Sequence, residues 1–142
     1  GTDAVSGTAY VGGRMGGHEG VMKDCYAVGA ISGISCVGGI AGTNQTGSFA
    51  GCFWNIQTCG RSNAVGEGAA TGIKGLNTEA MMALSTFTAA NWDFITTWGI
   101  GNGQTYPYLK PLTEVNPADI DYNGIVDMVD FSILQTNWLK QR

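Results

Sequence analysis

From Asp119 to Asp130 the chain reads DIDYNGIVDMVD, four carboxylates within twelve residues around one glycine. Oxygen-bearing side chains stand at positions 1, 3, 5, 9 and 12 of this stretch and Gly124 at position 6, the ligand spacing of a helix-hand calcium loop. Like charges this close need a compensating cation or a solvated tail, and the ligand register favours the cation. Asp119, Asp121 and Asn123 would supply side-chain oxygens and Ile125 its backbone carbonyl. Asp127 would bind directly or through water, and Asp130 would close the cage. Gly124 permits the sharp turn that folds the two halves around the ion. Calcium accepts about six to eight hard oxygens in a flexible cage, whereas magnesium demands a tighter octahedron and keeps more water, so Ca2+ is the expected cofactor. Position 12 holds Asp where Glu is usual, and its shorter arm must approach the ion more closely.

The elements that would position this loop are unequal. Downstream, Phe131, Leu134, Trp138 and Leu139 recur at i, i+3, i+7 and i+8, the apolar face of a helix, with Lys140 and Arg142 at its C-terminal end. Upstream, PLTEVNPA (residues 111–118) contains two prolines and reads as a linker. A calcium loop with an exiting helix and Asp at position 12 resembles one repeat of a type I dockerin. That resemblance implies docking to a cohesin-like or cell-surface protein; dockerins carry two such repeats and this chain has one.

Charge is concentrated in the same place. Lys and Arg number 7 and Asp and Glu 11, a net charge of −4, and the four loop aspartates account for all of it. No basic patch exists to follow a nucleic-acid backbone, which excludes that partner class. There is no run of about eighteen apolar residues, so no membrane span is expected. No basic-then-apolar signal segment opens the chain, so a secreted protein of this sequence is expected to be mature or a fragment.

Nineteen of the 23 glycines fall between Gly1 and Gly75, and that half repeats itself. Val11-Gly12-Gly13 aligns with Val37-Gly38-Gly39 and Gly16 with Gly42. After one inserted residue, Cys25-Tyr26 aligns with Cys52-Phe53 and Gly33 with Gly60, a period of 26 to 27 residues. A repeat of this kind cannot bury its apolar face alone, so the chain is expected to be the end of a longer array. Short β-prone runs between glycine pairs predict a mainly β fold: β-solenoid, or β-helix-like, repeats with a short helical closing segment and a C-terminal calcium loop plus helix.

The VGG-x-x-G … CY-x-x-G-x-I-x-G pattern resembles the GLUG-motif repeats of bacterial extracellular and surface proteins. GCFWNIQT, GIKGLNTEAMMALSTFTAANWDF and TTWGIGNGQTYPYL resemble the segment that commonly closes a GLUG array. The resemblance covers about Ala4 to Leu109 and implies an extracellular or cell-surface location, adhesive or scaffold roles and no catalytic residues. In the closing segment, Thr78 is expected to cap a short helix through EAMMALS. Trp92, Phe94 and Trp98, at even spacing, would give a strand one aromatic face, suited to a sugar ring or to sealing the open end of the repeats.

The resulting division is residues 1–75 repeats, 76–110 closing segment, 111–118 linker and 119–142 calcium-binding hand. Cys25 and Cys52, equivalent in the repeats, would stack as buried thiols; a Cys52–Cys59 bridge across a tight turn is the alternative, and no CxxC pair supports zinc. His18, the only histidine, sits in GGHEG and is expected as an exposed turn residue, equivalent to Asn44. With no nucleophile beside it and the remaining acids scattered, the chain is expected not to be an enzyme. The leading reading is a non-catalytic extracellular adhesion or scaffold end whose hand docks a protein partner, with polysaccharide as a further candidate ligand. The alternative is the ancillary C-terminal region of a larger secreted polysaccharide-degrading enzyme or peptidase.

Overall fold

The computed structural model describes residues 1–111 together with 128, 131 and 132. The chain divides into two compact units, Gly1–Leu109 and Lys110–Arg142. In the second, Met128, Phe131 and Ser132 have helical backbone and the first two are exposed. The six candidate calcium ligands (Asp119, Asp121, Asn123, Ile125, Asp127 and Asp130) lie outside the described residues, as do the linker from residue 112 and most of the expected helix.

The first unit is mainly β. One repeat supplies β1 (Val5–Ser6), β2 (Ala9–Gly12), β3 (Met15–His18), β4 (Val21–Lys23) and β5 (Tyr26–Ala27). The next supplies β6 (Ile31–Ser32), β7 (Ser35–Gly38), β8 (Ala41–Asn44), β9 (Ser48–Ala50) and β10 (Cys52–Asn55), followed by α1 (Ile56–Cys59). Each strand of the first pairs in parallel with its counterpart in the second: Val5 with Ile31, Val11 with Val37, His18 with Asn44, Met22 with Phe49 and Tyr26 with Phe53. Register therefore follows the sequence repeat, and the step lengthens by one residue between β3 and β4, where Gln45 to Gly47 turn the second repeat. A third, shorter unit adds β11 (Val65–Gly68) on β8 and β12 (Ile73–Leu76) on β10, both parallel. No barrel closes among these sheets, and the parallel pairs are consistent with a β-helix-like fold.

Glycine appears where backbones approach too closely for a side chain. A methyl built on Gly12 would stand 2.5 Å from Ile40 O and 2.5 Å from Ala41 Cα, and one on Gly38 would stand 2.7 Å from Ala64 O. The same corner thus recurs from the first repeat to the second and from the second to the third. A left-handed corner recurs as well: Asp24 (φ 49°), Gly51 (φ 60°) and Gly72 (φ 87°) immediately precede the aligned residues Cys25, Cys52 and Ile73.

Alternation along the β5–β10–β12 sheet divides the apolar residues between two clusters. Cys52, Trp54 and Ala27 join Val11, Met22, Ile31, Ile40 and Phe49 on the inner side. Phe53, Tyr26 and Leu76 face the other way, where Phe87, Trp92 and Met81 of the closing segment cover them. This segment comprises α2 (Thr78–Met81), α3 (Leu84–Thr88) and the antiparallel pair β13 (Trp98–Gly99) with β14 (Tyr108–Leu109).

Two local expectations are corrected. Asn77, one residue before Thr78, caps α2 by accepting from Ala80 N at 2.9 Å. NWDFITTW is a turn rather than a long strand, because Asp93 Oδ1 accepts from Ile95 N (2.8 Å) and Thr96 N (3.0 Å) and bends the backbone away from any ladder.

Candidate functional site

Three groups of side chains in the repeat unit have chemistry worth following. The first is the corner after β3 and β8. His18 is 3% exposed, not an exposed turn residue. Its ring stacks at 4.4 Å on Phe49 and its Nε2 lies 3.2 Å from Ser48 O in the next repeat. Asn44, paired with His18 in register, makes the equivalent reach by donating from Nδ2 to Ala69 O at 2.8 Å and to Gly47 O at 3.0 Å. Both therefore tie successive repeats together through a backbone carbonyl. Gly47 makes room for the imidazole, since a methyl there would stand 2.2 Å from His18 Cδ2. With its ring held between Phe49 and a carbonyl, His18 has no substrate-facing position.

The second group is the aromatic cover. Trp92 is 4% exposed and donates its indole N–H to Gly51 O at 2.9 Å. Its ring packs at 4.5 Å against Trp98, 4.8 Å against Phe87 and 6.1 Å against Phe53. Tyr26 donates its hydroxyl to Pro107 O at 2.6 Å, and burial raises its pKa above the ordinary phenol value. Asn55, fully buried, accepts from Gln57 N and Thr58 N and donates to Thr78 Oγ1 and to the Tyr106 hydroxyl, joining β10 to the closing segment. These aromatics spend their faces on one another, so Trp92 offers no sugar platform. They cover a sheet face that runs across consecutive repeats, from Tyr26 through Phe53 to Leu76.

The third group surrounds an open cavity of about 280 Å³ lined by Arg14, Asp24, Cys25, Tyr26, Trp98 and Tyr108. All four cysteines are free thiols. Cys25 and Cys52 take equivalent places in consecutive repeats, as expected, but only Cys52 is buried. The Cys25 thiol donates to Lys23 O at 3.1 Å, and the Cys52 thiol to Met22 O and Ala50 O at 3.5 Å. The neighbouring Cys52 thiol, and then the charge of Arg14, pull the Cys25 thiol down to about 6 against the opposing effect of burial. The neighbouring Cys25 thiol and burial push the Cys52 thiol up. Cys59 is buried beside Ala27 O, and burial raises its pKa. Cys36 is set apart, donating to Glu67 Oε2 at 3.4 Å, and the carboxylate raises its pKa. Sequence reasoning found the Cys25/Cys52 alignment but not the neighbouring Arg14, which comes from a different strand connection.

Among the described residues no group of three or more His, Cys, Asp or Glu could hold a metal ion. Among them, too, no helix is long and apolar enough to cross a membrane.

No family model matches the chain, and no solved structure matches it. Two curated proteins are similar. Halomucin of Haloquadratum walsbyi is 30% identical over 123 residues, 78% of this chain and 1% of halomucin. A protein of Evansella cellulosilytica named as a Gly-rich membrane protein is 36% identical over 105 residues, 69% of this chain and 11% of that protein. The chain thus spans a small part of the length of either relative.

Proposed function

We propose that this chain is a non-catalytic extracellular segment for adhesion or scaffolding, a β-solenoid end carrying a calcium-ordered C-terminal hand. The observation that supports it best is the in-register parallel pairing of consecutive repeats. Side chains that could have done chemistry, His18 above all, are used there to hold one repeat to the next. An extended surface built this way presents repeated, shallow positions rather than a single enclosed site. The names of the two relatives support a surface location, and the small share of each that is matched supports a segment within a longer chain.

The hand rests on the chemistry of its donor set. Asp119, Asp121, Asn123, Asp127 and Asp130 offer only oxygen, with Ile125 adding a carbonyl, and hard oxygens without nitrogen or sulfur suit calcium. The bound ion would offset the mutual repulsion of the four aspartates and bring the net charge from −4 to −2. With the loop closed, the helix carrying Phe131, Leu134, Trp138 and Leu139 would present its apolar face to a cohesin-like or cell-surface protein. Calorimetric titration of the whole chain with calcium tests this. One binding event at millimolar calcium or below, lost in Asp119→Ala/Asp121→Ala, is expected; no heat of binding at millimolar calcium refutes the hand.

A further inference from the structure

We propose that Cys25 and Cys52 are a redox-responsive dithiol that closes into a disulfide in an oxidising medium and staples two consecutive repeats. Their placement follows from the sheet. Tyr26 pairs with Phe53, and Phe53 N donates to Cys25 O at 2.9 Å, which sets Cys25, just ahead of β5, opposite Cys52 at the start of β10. Neighbouring strands lie about 4.8 Å apart, inside the Cα separation of about 4.4–6.8 Å that a disulfide spans. Cys25 packs against the inner cluster to which Cys52 belongs.

The two sulfurs differ in the way a reactive pair requires. Cys25 is half-buried and lines the open cavity with Arg14, whereas Cys52 is wholly buried behind it. Arg14 favours the Cys25 thiolate, the form that attacks. An external disulfide reaching the cavity would meet Cys25 first: the thiolate sulfur bonds to one sulfur of the reagent, whose S–S bond breaks to release a thiolate. Cys52, losing its proton to that released thiolate, then attacks the Cys25 sulfur and expels the second half of the reagent. Two protein thiols are thereby oxidised by two electrons, and one reagent disulfide is reduced to two thiols. Neither remaining cysteine competes, because Cys36 lies beside Glu67 and Cys59 is buried against Ala27 O.

The test uses the full chain, reduced and then equilibrated in glutathione buffers of increasing oxidation, acid-quenched, alkylated and peptide-mapped. The Cys25–Cys52 cross-linked peptide is expected first, with Cys36 and Cys59 still alkylated. Closing a loop of 27 residues is expected to lower the unfolding equilibrium constant by roughly several hundred-fold. Cys25→Ser, at a half-buried position, should remove both effects while keeping the circular-dichroism spectrum. A persistent glutathione adduct on Cys25, or a Cys52–Cys59 link in place of the expected peptide, overturns the proposal. The peptide map of the unmutated chain decides this even if the variant folds poorly.

Discussion

Replacing Gly39 with alanine probes the stacking of the repeats at one atom. Gly39 has no left-handed backbone, so an added methyl brings no conformational strain of its own. It would, however, stand 2.3 Å from Cδ1, 2.6 Å from Cγ and 2.7 Å from Nε1 of Trp54. The indole cannot retreat cheaply, because it is 6% exposed in the inner cluster and donates to Arg61 O at 2.9 Å. Overpacking of this kind costs about 1–3 kcal/mol, and displacing the ring leaves a buried N–H and carbonyl unpaired at a further ~1–3 kcal/mol. The expected loss is therefore about 2–6 kcal/mol. With a urea slope of about 1.5 kcal/mol/M, the midpoint would fall by roughly 1–4 M. Urea titration followed by far-ultraviolet circular dichroism measures it. Two controls isolate the cause. Gly20→Ala, at φ 92° with open space around it, should cost about 1–2 kcal/mol from the backbone alone. Gly39→Ala should cost much less in a Trp54→Leu background, since the clashing ring is gone. A Gly39→Ala loss below about 0.5 kcal/mol, well under the overpacking range, would mean that Trp54 does not pack beneath this glycine and that the register is wrong.

Trp92→Phe keeps an aromatic body but removes the donor to Gly51 O, and should cost about 1–2 kcal/mol by chemical denaturation; Trp92→Ala should cost about 3–5 kcal/mol. Equal losses for the two would show that the ring packs nothing. The Asp93 carboxyl is held well below the usual carboxylate range, first by the Thr96 hydroxyl and then by the Thr96 amide and the Thr97 hydroxyl. A depressed folded-state pKa adds stability that is present above the unfolded value of about 4 and is lost as pH falls below it. Thermal melts between pH 6 and pH 2 should thus show a component that Asp93→Asn removes, and an unchanged pH profile in that variant would refute the assignment.

Much of the repeat architecture was legible because glycine and β-branched residues mark backbone geometry directly. Val11-Gly12 aligned with Val37-Gly38 in the sequence pairs the same way in the sheet, and the inserted residue appears where β4 meets β9. The third repeat was harder to read. It has Asn63 and Ala64 where the others have glycine followed by Arg14 or Ile40, and β12 follows β10 at a shortened step, so neither motif nor period survives. A lone histidine between glycines looks like a surface turn, so the burial of His18 does not show in its immediate sequence. Its alignment with Asn44 was the usable signal, since two polar residues at one repeat position can serve the same inward hydrogen bond. The aromatic spacing of Trp92, Phe94 and Trp98 suggested a strand, but the Asp93 side chain claims the amides that a strand would need.

The calcium-ordered hand is tested most directly by hydrogen exchange on the whole chain with calcium and with chelator. The prediction is that calcium raises amide protection across residues 119–139 and leaves the paired strands from Val5 to Leu76 unchanged. Identical exchange at Asp119 to Asp130 in both conditions would contradict it.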